Sequence, residues 1–130
     1  MDRMLAGLLP DALLVGVPEI DVQHEEIFVR IESLKDACFG NDAPPFDDCA
    51  DLLRFLASHF ETEETLARKA RLEFSSHTQA HQTNFSALNR ALEEVRSGAR
   101  DVHSFLRYFE FWFERHILDQ DKPLGLSLKQ

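Results

Sequence analysis

Breakers of regular structure are scarce in this chain. Its 130 residues include five glycines and five prolines, below the average share of roughly 12% for the two types together. So few turn formers argue against a many-stranded β protein and exclude collagen-like and low-complexity classes. Cys38 and Cys49 are too few for a disulfide scaffold. Positive charge is outnumbered, 14 Lys and Arg against 23 Asp and Glu, for a net charge of −9. That surface suits neither a nucleic-acid phosphate backbone nor an anionic membrane. No apolar run approaches the roughly 20 residues of a membrane helix, because Pro10 and Asp11 interrupt the greasy stretch from Leu5 to Val17. With only Arg3 ahead of it, that stretch does not read as a signal peptide, and a cytoplasmic protein is expected.

What remains is a chain with 44% apolar residues, enough for a real core in a single domain. The punctuation falls in an N-terminal arm (Gly7, Pro10, Gly16, Pro18), a loop (Gly40, Pro44, Pro45), a second loop at Gly98, and a tail (Pro123, Gly125). Long breaker-free stretches between them read as helix. Apolar residues recur there at helical steps. About 19–38 carries Ile27, Phe28, Ile31, Leu34 and Cys38. About 46–70 carries Cys49, Leu52, Leu53, Leu56, Phe60, Leu66, Ala67 and Ala70. About 75–97 carries Phe85, Leu88, Leu92 and Val95, and about 100–119 carries Val102, Phe105, Leu106, Phe109, Trp112, Phe113 and Ile117. The phase from Ala70 to Phe74 also permits one long helix over 46–97, but that length is far outside the usual range. A turn near 70–74 is expected, with Ser75 or Ser76 as the next N-cap. The fold class is all-α, an antiparallel up-down-up-down four-helix bundle. One domain is expected over 1–130: an arm (1–18), the bundle (about 19–122) and a tail (123–130).

Each stripe then runs into histidine or carboxylate. His24 precedes Ile27 by three positions, His59 and Glu63 continue the phase of Leu56, His77 and His81 lead into Phe85, and His116 lies between Phe113 and Ile117. A single inward histidine is ordinarily a satisfied core residue. Five of six on stripes, together with a glutamate, are not, because an unpaired carboxylate in a core is very unfavourable. A cation among them removes that cost. Residues four apart share a helix face, so His59–Glu63 and His77–His81 each aim two side chains at one place. Asp121 follows His116 by five positions, where the helix is expected to unwind before Pro123. On one straight helix Glu63 and His77 would lie about 21 Å apart, so a shared cluster also requires the turn near 70–74.

Five imidazoles and two carboxylates exceed the four ligands of a zinc ion. Two six-coordinate metals bridged by both carboxylates and one solvent oxygen use all seven side chains and leave one position open. Mixed imidazole and carboxylate ligands suit iron. An open position on a di-iron pair can bind a small ligand end-on, O2 being the obvious one.

The set Gly16-Val17, Ile20-Asp21-x-Gln23-His24, His59-Phe60-x-x-Glu63-Glu64, His77-x-x-x-His81 and His116-Ile117-x-x-x-Asp121 resembles the hemerythrin family in its bacterial single-domain form, over about residues 15–122. The resemblance implies a cofactor of two Fe ions bridged by an oxo or hydroxo group and by Glu63 and Asp121. His77, His81 and His116 would hold one iron, and His24 and His59 the iron with the open position. It implies reversible O2 binding for storage, delivery or sensing, in a pocket lined by Ile27, Phe60, Trp112, Phe113 and Ile117. The rivals are a di-iron enzyme acting on peroxide or nitric oxide, for which no dedicated proton relay is evident, a signalling module, and a structural zinc bundle. O2 is the expected partner, and no protein recipient of oxygen is evident. Three features depart from the family pattern: a segment between Glu63 and His77 about one residue short and without a Tyr-Pro-like turn, Phe113 in place of an aliphatic residue, and an arm whose usual aromatic is replaced by Leu13 or Leu14. His103 belongs to the polar face of the fourth stripe. Glu25, Glu26 and Glu64 point away from the site by helical phase, Cys38 and Cys49 read as buried thiols, and Tyr108 and Phe111 as partly buried flank.

Overall fold

Helix formation follows the breaker-free stretches. The structure, a computed structural model, describes residues 9–38 and 45–129; residues 1–8 of the arm, 39–44 with the first loop's Gly40 and Pro44, and Gln130 lie outside the described residues. The bundle helices are α1 (Pro18–Cys38), α2 (Phe46–Lys69), α3 (Ser75–Arg96) and α4 (Val102–His116). A π-helical turn (Ile117–Asp121) and a short helix α5 (Lys122–Leu128) follow. Helices α1 and α2, α2 and α3, α3 and α4, and α4 and α1 pack together. That closed ring is the expected four-helix arrangement. Among the described residues there is no strand, and no helix is long and apolar enough to cross a membrane.

Charges at the ends of α2 suit its dipole, with Asp47 and Asp48 in the first turn and Arg68 and Lys69 in the last. The turn expected near 70–74 is present. The Leu72 N–H donates to the Ala67 carbonyl (2.9 Å) and the Arg71 N–H to the Arg68 carbonyl (3.0 Å), the double bond of a Schellman cap. Arg71 sits at its left-handed position with φ 60°, where glycine is the usual residue. At the end of α3, Gly98 fills the corresponding place with φ 87°, and Ala99 N–H donates to the Glu94 carbonyl (2.8 Å).

Three boundaries differ from expectation. Neither Ser75 nor Ser76 caps α3; the Glu73 carboxylate accepts from the Ser75 N–H instead (3.0 Å), because a longer acceptor two residues earlier reaches the exposed donor. Helix α4 starts at Val102, with the Asp101 carboxylate accepting from the Ser104 N–H (3.1 Å). The chain does not unwind after His116, and the expected tail is helical through Leu128. The helix widens to the π form, the Lys122 N–H reaching the Ile117 carbonyl, and continues as α5, with Pro123 in the first turn of that segment.

The arm straps this end of the bundle. Leu9, Leu13 and Val15 are buried while Leu14 is 40% exposed, so of the two leucines expected in place of the aromatic it is Leu13 that packs. Asp21 in the first turn of α1 accepts from the N–H groups of Val15 (2.8 Å) and Gly16 (3.1 Å). Lys122 donates to the Ala12 carbonyl (2.9 Å). A Cβ at Gly125 would collide with the Val15 carbonyl oxygen, so α5 needs glycine beneath the strap.

The stripes are buried largely as expected, with Phe105, Phe109, Leu88 and Leu56 fully enclosed. Phe28, Leu66, Phe85 and Trp112 are only partly buried, packing at the rim of the core, and Ala70 is exposed where α2 ends. Tyr108 is partly buried. Phe111 is 67% exposed, because its helical phase points out of the ring rather than along its flank. Both cysteines are buried free thiols, and burial pushes Cys49 up to about 12.

Candidate metal centre

Extending the core stripes toward the π-turn brings the seven singled-out side chains into one buried cluster. His24 comes from α1, His59 and Glu63 from α2, His77 and His81 from α3, His116 from α4 and Asp121 from the π-turn. The extra residue per turn of the π form sets the five-residue spacing: in an α-helix position 120, not 121, would stand one turn above His116. All seven are buried, with Glu63, Asp121 and His24 fully enclosed.

The carboxylates divide their oxygens between two sets of rings. On one side, Glu63 Oε1 lies 3.1 Å from His81 Nε2 and 3.5 Å from His77 Nε2. Asp121 Oδ1 lies 3.1 Å from His77 Nε2 and 3.3 Å from His116 Nε2. On the other side, Glu63 Oε2 lies 3.0 Å from His59 Nε2 and 3.4 Å from His24 Nε2. Asp121 Oδ2 lies 3.0 Å from His24 Nε2. Two overlapping sets result: Glu63, His77, His81, His116 and Asp121, and His24, His59, Glu63 and Asp121, with the donor atoms of each within 4.8 Å of one another.

The donor atoms fit a cation. Nε2 of His24, His59, His77 and His116, Oε2 of Glu63 and both oxygens of Asp121 are buried with no hydrogen-bond partner. Protein interiors rarely tolerate one such atom, and here they converge. In the metal-free chain, protons partly stand in. Burial opposes a charge on His24, but Asp121 and Glu63 outweigh it and hold its pKa at about 9. Burial likewise opposes a charge on His81, and Glu63 and Glu64 raise it. Burial dominates at His59 and pushes it down. Burial and the mutual repulsion of Glu63 and Asp121 favour their neutral forms, but the surrounding imidazoles win and both carboxyls stay well below the usual range.

Aromatic rings enclose the cluster. Phe60 stacks on His81 (3.8 Å between centroids) and Trp112 on His116 (5.2 Å), so both cover the three-histidine side. Phe113 meets His24 edge-on at 5.2 Å and His59 at 6.4 Å, on the two-histidine side. Ile27 and Ile117 are fully buried. Sequence reasoning missed Phe74, whose ring lies 4.2 Å from that of His77; its place three residues before His77 was the available signal.

One polar neighbour differs from expectation. Glu64 does not point away: its Oε2 accepts from His81 Nδ1 at 2.9 Å. Glu25 is buried but stands outside both donor sets, and Glu26 pairs with Arg30 on the outside. Gln23 Oε1 lies 2.7 Å from His59 Nδ1. The available signal was chemical, since a metal-binding imidazole needs an acceptor for its second N–H. His103 is outside both sets.

A bundle with a buried, two-lobed imidazole and carboxylate cluster defines a helical metal-binding protein. The family model described as the hemerythrin HHE cation binding domain matches residues 15–125. The chain is similar to the bacteriohemerythrins of Pseudomonas aeruginosa and Pseudomonas paraeruginosa, 32% identical to each over 116 residues, which is 85% of this chain and 74% of each relative. The chain belongs to the hemerythrin family. No solved structure matches it.

Proposed function

We propose that the cluster holds two iron ions and that the protein binds O2 reversibly at the two-histidine iron, as a carrier, store or sensor. One observation supports this above the others: Glu63 and Asp121 each turn one oxygen toward the His77, His81 and His116 side and the other toward the His24 and His59 side. Glu63 and Asp121 would bridge the metals. His77, His81 and His116 would complete one, and His24 and His59 would leave a position open on the other. The chemistry such a pair would supply is two electrons that O2 takes up on binding and returns on release. The functional unit is the whole chain as one domain, arm included.

The residues of this chain make release rather than turnover the outcome. Ile27, Phe113 and Ile117, expected to wall the open position, carry no proton donor. Phe60 and Trp112 close the other half with their rings. Excluding water from this side would keep protons away from the open position. This favours a binding protein over an enzyme acting on peroxide or nitric oxide. The test is iron analysis paired with absorption spectra of reduced protein before and after air. Two irons per chain and bands that appear with air and fade when O2 is removed support the reading. One metal per chain, zinc, or bands that never reverse contradict it.

A further inference from the structure

Two links between helices determine which nitrogen of two cluster histidines is free to face a metal. The Ser58 carbonyl can only accept, so the Thr62 hydroxyl donates to it (3.3 Å). The Thr62 oxygen then accepts from the Gln23 amide nitrogen (3.2 Å). That turns the Gln23 carbonyl oxygen toward His59 Nδ1 (2.7 Å), which must donate. The lone pair of His59 therefore sits on Nε2, the atom 3.0 Å from Glu63 Oε2. At the other half the Glu64 carboxylate, an acceptor only, takes the Nδ1 hydrogen of His81 (2.9 Å). His81 Nε2 is thereby aimed at Glu63 Oε1. His24 has no such support, since its Nδ1 is buried without a partner.

We propose that Gln23 and Glu64 are positioning residues, each fixing the tautomer and orientation of one histidine in a different metal half. This rests on the two-iron reading above. Gln23 reaches from α1 to α2 and Glu64 from α2 to α3, so each link also pins the helix that carries its ligand. The half with four protein donors, which includes His59, loses its metal first. The half with five, which includes His81, loses it second.

The test is an anaerobic equilibrium competition between the iron-loaded full chain and a ferrous chelator, reading iron retained per chain. Gln23→Leu is expected to weaken retention of the first-lost iron by about 10- to 100-fold and to leave the second unchanged. Glu64→Leu should do the reverse. Gln23→Glu and Glu64→Gln keep an acceptor at each place and should restore most of the lost affinity. A merely structural role would move both steps together and would not be rescued. Variants indistinguishable from wild type, or weakened equally at both steps, overturn the proposal while leaving the two-iron reading intact. A wild-type chain that never holds two irons overturns both.

Discussion

Cys49, Leu52, Leu53 and Leu56 of α2 are buried in hydrocarbon, and His59 and Glu63 on the next turns are buried as deeply among nitrogen and oxygen. At the apolar end, burial is favourable by itself, at roughly 25 cal/mol per Å2. At the other end the same depth places carboxylates and imidazole lone pairs where water cannot reach them, which is costly until a cation joins them. The four helices thus share one packing scheme with two different requirements. The apolar end needs only its own side chains, while the ligand end presents a donor set that suits a cation. Aromatic residues mark the border, since Phe109 packs on Phe113 (6.4 Å between centroids) and Phe113 in turn on His24 (5.2 Å).

The largest break in that comparison is metal removal. Stripping the protein with a chelator should destabilise it by on the order of 5 kcal/mol, read as a large drop in thermal midpoint that added iron restores. Equal midpoints would place the stability of the ligand end in its protein contacts alone. Next, truncation should separate the ends. Leu92→Ala should cost about 2–5 kcal/mol and leave iron content unchanged. Phe113→Ala should keep both irons, but a cavity beside a polar site takes up water, so the oxygenated form should decay in air faster than in Leu92→Ala. Equal decay would remove Phe113 from the pocket.

A smaller effect sharpens the contrast through pH. In the metal-free chain His24 is raised from 6.5 to about 9. Its contribution is fully present below pH 6.5 and is lost as pH rises through 9. His81, also raised, acts in the same direction. Glu63 and Asp121, both lowered, contribute above the ordinary carboxylate range and lose that contribution as pH falls. The unfolding free energy of metal-free protein, read from denaturant titrations, should therefore fall between pH 6.5 and 9, by roughly 3 kcal/mol for a shift of this size. With metal in place of the proton, that alkaline loss should be absent. The smallest effect lies outside both ends: Arg71→Gly relieves a left-handed residue and should stabilise by about 0.5–1 kcal/mol, with iron content unchanged.

Much of this was legible before any coordinates. Helical steps locate the four helices, and the placement of histidines on apolar stripes identifies the side chains that the fold brings together. The turn near 70–74 followed from the reach of a helix, but its cap did not, because Arg71 holds a conformation usually signalled by glycine. The five-residue step from His116 to Asp121 was visible, yet its cause was not. A widened helical turn and an unwound one leave the same spacing, and only the Lys122 to Ile117 hydrogen bond separates them. Glu64 was misplaced because helical phase describes where Cβ points. A long side chain next to Glu63 can still meet a ring presented by the neighbouring helix, as it does at His81.

The most direct measurement of the two-lobed centre is a stoichiometric O2 titration of the reduced, iron-loaded protein, with O2 uptake and optical change followed together. One O2 taken up per chain and per two irons, and recovered intact when O2 is removed, is the expected result. One O2 per iron, or uptake that leaves oxidised iron and no recoverable O2, would contradict a bridged pair with a single open position.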